Sequence, residues 1–368
     1  MIEVPLVDLR ATYLPIRDRV LPAFETAFDS MQLFLGPNIQ AFEKEFTEYC
    51  QAPFGLGCSS GTDAATLALK AFDFAPGFEA IVPAHTFFAT VESVVHAGGV
   101  PVMVDIDPQT YCLDPAKIES AITKKTAAIM PVHIYGHPAD IDAIHDIAAA
   151  RGLKVIEDAA QAHGAQYKGR PAGCLADAAA FSFYFTKNLG AFGEAGFCTA
   201  RDEAVFRRMQ LLRHHGHVSK FEHEIIGFNM RIDELQAIIL RAKLPDLDAN
   251  NARRRKIATR YDEAFADLDV VTPKVADYAE PNYHCYVIQM GRRDELHQHL
   301  SDCKVGTGIH YKTPIHKQPA MYTIEHRAHP MPVTERVCSR CLTLPCYPEM
   351  TEQQIAHVIE SIRRFFSA

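Results

Sequence analysis

A lysine at the end of an apolar run is the residue of this chain with the clearest chemical potential. Lys187 follows the stretch AAAFSFYF at 178–185 and precedes a loop that reaches Gly190. A lysine that a buried strand delivers into such a loop loses hydration, which lowers the pKa of its amine and favours the nucleophilic form. Lys187 is therefore a candidate Schiff-base lysine, although a solvated lysine is the better interpretation of this residue taken alone.

A carboxylate in a comparable position gives Lys187 a partner. The stretch LKVIED at 153–158 is typical of a short parallel strand that ends in Glu157 and Asp158. Ligands of an open α/β sheet bind at the carboxyl ends of its strands, so we expect Asp158 and Lys187 to face one crevice. Pyridoxal phosphate requires such a pair: a lysine for the imine, and a carboxylate that keeps the pyridine nitrogen protonated. Taken alone, Asp158 is better interpreted as a loop acid or a helix cap.

Alternating strand and helix patterns surround these two residues. Apolar strands are predicted at 80–83, 100–105, 127–132 and 154–156, and helical spacing fills 64–72, 90–96, 115–122 and 141–150. Such βα repeats build a mostly parallel sheet covered by helices, so the predicted fold class is α/β.

The C-terminal part of the chain indicates a smaller α+β lobe. Long helical structure is predicted over 231–265, broken or kinked at Pro245, and its basic cluster RRRK at 253–256 is interpreted as a solvated helix face. A strand at 286–288 and helices at 295–303 and 351–366 follow. We therefore predict a large domain over 1–245 and a small domain over 246–368.

Composition excludes several classes of function. The chain has 368 residues and a net charge of −8 without a basic block, which argues against nucleic acid as a partner. Its ten cysteines include one close pair, Cys338 and Cys341, and a single CxxC is a weak metal or redox signal. The cluster RHHGH at 213–217 lacks a further ligand at a diagnostic spacing, so no metal is predicted. Without a leader pattern or an apolar run of membrane length, we expect a cytoplasmic protein with reduced thiols and no membrane partner.

Four separated motifs give the chain a family resemblance over nearly its whole length. In order they are VIEDAAQAHGA, FSFYFTKNLGAFGEAG, GFNMRIDELQAIIL and GTGIHYKTPIHKQPAMY. Together they resemble the DegT/DnrJ/EryC1/StrS family of pyridoxal-phosphate-dependent nucleotide-sugar aminotransferases. The resemblance implies fold type I, with a mostly parallel, seven-stranded type of sheet in the large lobe. It also implies that residues 1–38 pack on the small lobe or on a partner subunit.

The same resemblance implies a set of cofactor ligands. Gly61 and Thr62, at the start of a predicted helix, correspond to the turn that holds the cofactor phosphate, and Ser182 corresponds to a second phosphate ligand. Phe87 matches the aromatic residue that stacks on the pyridine ring, and Gln161 the residue beside the ring that bonds the phenolic oxygen. Simpler readings remain open: ordinary helix capping for the turn, core packing for Ser182 and Phe87, with Phe88 as a competing ring, and a polar loop residue for Gln161.

Asn229 opens the long helical region, where it has the position of an N-cap or turn residue. In the family this asparagine binds the cofactor phosphate of the neighbouring subunit. The resemblance therefore implies a homodimer in which Asn229 reaches the partner's active site.

The resemblance also implies a reaction. Lys187 would hold pyridoxal 5'-phosphate, which alternates with pyridoxamine phosphate as an amino group passes from L-glutamate to a nucleotide-linked keto-6-deoxysugar. The HTFFAT turn at 85–90 and the DELQA helix at 233–237 favour the subgroup that aminates carbon 3, with a dTDP-3-keto-6-deoxyhexose as the expected substrate. His310, Tyr311 and His316 are the expected residues on the substrate side, with plain packing as the alternative.

Other functions remain in competition. Relatives that remove oxygen from carbon 3 carry histidine in place of the Schiff-base lysine, so Lys187 argues against them. Amination at carbon 4 and a regulatory protein that binds the cofactor without turnover both remain open. A dinucleotide-binding protein is disfavoured because no GxGxxG follows a first strand.

Overall fold

The computed structural model of this protein describes residues 2–367. Its helices are α1 (Leu9–Tyr13), α2 (Arg17–Ser30), α3 (Pro37–Tyr49), α4 (Gly61–Lys70), α5 (Ala89–His96), α6 (Pro115–Ile118), α7 (Ile141–Arg151), α8 (Glu203–Arg213), α9 (Glu234–Lys243), α10 (Leu247–Phe265), α11 (Arg293–Asp302), α12 (Pro332–Arg340) and α13 (Glu352–Ser367). Its strands are β1 (Phe54–Cys58), β2 (Glu79–Pro83), β3 (Val100–Val104), β4 (Thr126–Ile129), β5 (Lys154–Asp158), β6 (Gln166–Tyr167), β7 (Arg170–Pro171), β8 (Ala178–Ser182), β9 (Gly196–Ala200), β10 (His217–Ser219), β11 (Glu222–His223), β12 (Ala279–Glu280), β13 (Tyr286–Gln289), β14 (Arg327–Ala328) and β15 (Cys341–Leu344).

One large sheet organises the fold. Within residues 2–367 it has eight strands in the order β1-β9-β8-β5-β4-β2-β3-β14. The strands from β8 to β14 in this order run parallel, whereas β9 lies antiparallel between β1 and β8. The predicted α/β fold with a mostly parallel sheet is confirmed. Seven of these strands come from the first 200 residues, and the two-residue strand β14 adds an eighth at the edge.

Small side chains bring helix α4 close to the sheet. Alanines of α4 (Ala64, Ala65 and Ala68) and of β8 (Ala178 and Ala180) are buried in one core cluster. An alanine-lined contact lets a helix approach a sheet closely, because no long side chain separates the two backbones. The first residue of α4 therefore lies against the last residue of β8, where the predicted phosphate ligands are.

The C-terminal lobe has a core of its own. Strands β13 and β15 pair antiparallel, and their buried residues cluster with those of α10, α11 and α13. Two short strands of this part nevertheless pair with the N-terminal part, β12 with β6 and β14 with β3. The domain division at residue 245 stays a prediction.

The N-terminal segment divides between two neighbours. Val4 forms a bridge with Val305 of the C-terminal lobe. Helix α2 instead packs on α9, through Val20 and Ala27 against Ile238 and Ile239. Among residues 2–367, no helix has the length and apolar character needed to cross a membrane.

The interpretation of the basic cluster as a solvated helix face is wrong for one of its members. Arg253 and Lys256 are exposed, but Arg254 is only 8% exposed. The helical period explains the difference, because Arg254 shares its face of α10 with the buried Asn251, Ala258 and Tyr261, three, four and seven residues away.

Candidate active site

Two neighbouring strands bring Lys187 and Asp158 to one edge of the sheet. Asp158 ends β5, in register with Ala180 of β8, and Lys187 follows β8 in a turn where its backbone N–H donates to Tyr184 O at 2.8 Å. Burial lowers the pKa of the Lys187 amine, while the nearby Cys285, Asp158 and Glu194 act in the opposite direction. Since desolvation is the largest effect, a larger fraction of Lys187 carries a neutral amine at a given pH than in an ordinary lysine.

Asp158 is fixed by contacts that the sequence analysis missed. Its Oδ2 accepts a hydrogen bond from Thr90 Oγ1 at 2.7 Å, and its Oδ1 accepts one from the backbone N–H of Ala160 at 3.2 Å. Thr86 Oγ1 lies 2.8 Å from Thr90 Oγ1, so Thr86 donates to the hydroxyl that donates to Asp158. The only signal in the sequence was the HTFFAT turn, which was interpreted as a mark of substrate subgroup.

The start of α4 has the properties of a phosphate site. Ser60 caps the helix by accepting the N–H of Asp63 at 3.1 Å, whereas the N–H groups of Gly61 and Thr62 donate to no atom within residues 2–367. A Cβ on Gly61 would lie 2.4 Å from Ser182 Cβ, so the absence of a side chain allows the two to meet. Free N–H groups, the helix dipole and the Ser182 hydroxyl together suit an anion.

Gln161 is held by two aromatic residues. Its Oε1 accepts the N–H of Tyr135 at 2.5 Å, and its Nε2 donates to Tyr311 Oη at 3.1 Å. Burial raises the pKa of the Tyr311 hydroxyl, which is therefore protonated at neutral pH. The Tyr311 ring lies 6.0 Å from the ring of Phe87. Predicted cofactor and substrate residues thus meet in one connected group.

The two adjacent phenylalanines differ in their surroundings. Phe87 is 57% exposed, whereas Phe88 packs against the main core cluster. An exposed ring at the mouth of a crevice is available to stack on a planar ligand, and a core ring is not.

His310 and His316 lie in different environments. His310 Nδ1 is 2.8 Å from Thr343 Oγ1, and its pKa is lowered by burial and by the charge of Lys187. His316 Nε2 instead lies 3.1 Å from Glu335 Oε1, on helix α12. Among residues 2–367, no hydrogen bond joins His316 to the other predicted residues. Its substrate role stays a prediction.

Asn229 lies apart from these contacts. It is exposed, its backbone bridges His214, and its side chain makes no hydrogen bond within residues 2–367. An exposed, unbonded amide is free to meet a ligand or a second subunit.

Pyridoxal phosphate fits the residues of this crevice. The turn at Gly61 and Thr62, with Ser182, would hold its phosphate, Asp158 its ring nitrogen and Lys187 its aldehyde, with Phe87 and Gln161 beside the ring. When bound, the cofactor supplies an electron sink for the carbon that loses a proton. Among the described residues, no group of three or more His, Cys, Asp or Glu side chains is arranged to hold a metal ion.

Comparison with known proteins places the chain in a family. Residues 15–363 match the sequence model of the DegT/DnrJ/EryC1/StrS aminotransferase family. The chain belongs to this family. The predictions of a fold type I enzyme, of a transaminase and of pyridoxal phosphate as its cofactor are thereby confirmed.

Relatives match along the full length of the chain. A "pleiotropic regulatory protein" of Geobacillus stearothermophilus is 41% identical, over 99% of each chain. A "UDP-N-acetyl-3-dehydro-alpha-D-glucosamine 3-aminotransferase" of Acidithiobacillus ferrooxidans is 42% identical, over 98% of this chain and 97% of the relative. A "dTDP-3-amino-3,4,6-trideoxy-alpha-D-glucose transaminase" of Streptomyces venezuelae is 40% identical, over 99% of this chain and 96% of the relative. The crystal structure of S. venezuelae DesV superposes with a TM-score of 0.97 at 40% identity, over 100% of both chains.

Proposed function

We propose that this aminotransferase moves the amino group of L-glutamate to carbon 3 of a nucleotide-linked 3-keto-6-deoxyhexose. The expected nucleotide is dTDP, and the product would enter a cell-surface polysaccharide or a glycoside. The observation that carries the proposal is the presence of Lys187, whose amine is largely removed from water. Members of the family that remove oxygen from the sugar have histidine at this position instead of lysine. The names of two relatives, both of which describe a 3-amino sugar reaction, support carbon 3.

The residues of the crevice divide the work. Lys187 Nζ takes a proton from the donor carbon and later gives a proton to the acceptor carbon. It can act as this base because its lowered pKa favours the neutral amine. The Asp158 carboxylate balances positive charge on the ring nitrogen, and Thr90 holds that carboxylate in place. The buried Gln161 and its hydrogen-bond partner Tyr311 would keep water away from the cofactor ring.

The proposal includes a homodimer in which Asn229 completes the partner's site. The exposed, unbonded side chain of Asn229 supports it. Further support comes from large apolar side chains that stand in solvent in the single chain, among them Met31, Phe34, Phe221 and Ile226, which are 71%, 57%, 86% and 94% exposed. Exposed apolar surface of this kind is typical of an interface. Asn229→Ala should lower cofactor affinity without changing the oligomeric state in sedimentation.

A panel of sugars tests the proposed reaction. Purified enzyme is incubated with glutamate and dTDP- or UDP-linked 3-keto and 4-keto sugars, and the position of the new amine is read by NMR. We expect amination at carbon 3, and none with Lys187→Ala. Product at carbon 4 alone would overturn the choice of carbon.

A regulatory role is the second candidate, favoured by the name of the Geobacillus relative. It predicts cofactor binding without turnover. Glutamate should then leave the visible spectrum of the purified protein unchanged, whereas a transaminase loses its visible band.

A further inference from the structure

A cavity next to the loop of Lys187 is lined by an arginine that is not one of the predicted cofactor ligands. It has a volume of about 120 Å³ and is lined by Thr186, Arg254, His284, Cys285 and His310, among others. Thr186 is the residue before Lys187, so the cavity lies against the loop that carries the reactive amine. Arg254 lies on the opposite side of the domain boundary predicted from sequence, in helix α10.

Arg254 has hydrogen-bond donors that are not used within the described residues. Its Nη1 donates to the backbone oxygens of Cys346 and, at 3.4 Å, of Tyr283. Within residues 2–367, its Nε and Nη2 donate to no acceptor, and no carboxylate lies within ion-pair distance. Both nitrogens keep some exposed surface, and Arg254 is one of the residues that line the cavity. A guanidinium in this state presents the fork that binds a carboxylate through two hydrogen bonds.

The rest of the cavity lining is neutral. Burial lowers the pKa of His284 and His310, and the charge of Lys187 lowers both further. Burial also raises the pKa of the Cys285 thiol to about 11. At neutral pH the imidazoles and the thiol are therefore uncharged, and Arg254 is the cation that attracts an anion. Within residues 2–367 the Glu349 carboxylate stabilises the Arg254 charge only from beyond ion-pair distance, so an anionic ligand in direct contact would offset more of the cost of burying that charge.

We propose that Arg254 binds a carboxylate of the amino donor. This inference rests on the proposed function, since it assumes that a carboxylated amino acid enters the site. Arg254 lines the same cavity as His310 and as Thr186, the residue before Lys187, so a carboxylate bound there would lie beside the loop that carries the reactive amine. A 6-deoxyhexose has no carboxylate, and the anionic group of the acceptor is the diphosphate of its nucleotide, so a carboxylate bound by Arg254 comes from the donor. Arg254 would then determine donor specificity, a role that the sequence did not indicate because the residue lies within the basic cluster at 253–256.

The test measures binding apart from turnover. Glutarate, a dicarboxylate without an amine, is titrated calorimetrically into the cofactor-loaded enzyme and its variants. We expect Arg254→Met to weaken glutarate binding by about tenfold to about a hundredfold, because a charge-assisted hydrogen-bond pair is lost. Arg254→Lys should lose less, since it keeps the charge but not the fork. Arg253→Met is the matched control on the exposed face of the same helix, and it should bind glutarate like the wild type.

Kinetics of the two half-reactions separate this proposal from the proposed function. With Arg254→Met, the KM for glutamate should rise while the KM for the keto sugar stays within twofold. Equal glutarate affinity in wild type and Arg254→Met, or no glutarate binding by the wild type, would overturn the role of Arg254. So would a loss confined to sugars that carry a carboxylate at carbon 6. If Arg254→Met does not fold, the comparison of Arg254→Lys with wild type decides. A wild type that binds glutarate through Arg254 but aminates no sugar supports the site and refutes the proposed function.

Discussion

The hydroxyl of Thr90 offers a sharp test of how the site holds its carboxylate. Thr90 is 1% exposed and donates to Asp158 Oδ2 at 2.7 Å. Within residues 2–367, the other oxygen of Asp158 accepts only a longer hydrogen bond, from the backbone N–H of Ala160 at 3.2 Å. The substitution Thr90→Val removes the shorter bond and keeps the branched shape of the side chain. Thr86, which is also buried, loses its acceptor at the same time.

The size of the effect follows from the bond that is lost. A hydrogen bond to a charged group contributes about 1.5–3 kcal/mol to stability. Its loss is felt most where the site is buried, because water cannot take the place of the missing donor. If the carboxylate acts in the transition state, that loss corresponds to a rate between about tenfold and about a hundredfold lower. Thr86→Val removes only the hydroxyl that donates to Thr90 and leaves the bond from Thr90 to Asp158 in place. It should therefore lower the rate less than Thr90→Val does.

Stopped-flow measurement of the glutamate half-reaction checks this prediction. Thr90→Ser should restore most of the rate, because it keeps the hydroxyl. In an Asp158→Asn background, Thr90→Val should have little further effect, since the two residues act as one unit. A rate for Thr90→Val within twofold of wild type, in a protein that still binds cofactor, would refute the positioning role of Thr90.

Three further predictions concern neighbouring residues. Glu157→Gln should lower the free energy of unfolding in urea by about 2–6 kcal/mol, because the buried Glu157 accepts four hydrogen bonds and an amide nitrogen would face two donors; an unchanged midpoint would contradict this. Gly61→Ala should weaken cofactor binding by about tenfold or more in equilibrium dialysis, since its Cβ would lie 2.4 Å from Ser182 Cβ; wild-type affinity would contradict it. Burial penalises the charged form of Lys187, so the rate at which its amine reacts with an aldehyde should rise with pH and reach its plateau at a pH below the ordinary lysine pKa of about 10.4. A plateau reached only at or above that pH would contradict this prediction.

Much of the sheet was predictable because its strands are apolar and buried on both faces. The strands β2, β3, β4 and β5 read as short continuous apolar runs, and their order of alternation with helices fixes a parallel arrangement. Strands β1 and β9 were missed because FGLGC and GFCTA have glycines and no alternation. What identifies them is their antiparallel pairing with each other, which is a long-range contact.

The pair of Lys187 and Asp158 could be found for a different reason. Each is the polar residue at or after the carboxyl end of an apolar strand, and the geometry of parallel sheets brings such ends together. Thr90 lies in the first turn of a helix, where a threonine has ordinary local roles. Its bond to Asp158 spans 68 residues, so only the folded chain reveals it.

Arg254 shows why a local rule failed where a periodic one would have succeeded. A run of four basic residues is usually solvated, and three of the four do reach solvent or the boundary with it. A helix cannot expose four consecutive residues equally, however, because each step turns the side chain by about 100°. The residues Asn251, Ala258 and Tyr261 set the buried face of α10, and position 254 falls on it. A charge on a buried face is stabilised by an anion, and within residues 2–367 the Glu349 carboxylate acts on Arg254 from beyond ion-pair distance. The periodicity that contradicts the solvated interpretation is therefore the same observation that makes Arg254 a candidate ligand for the donor.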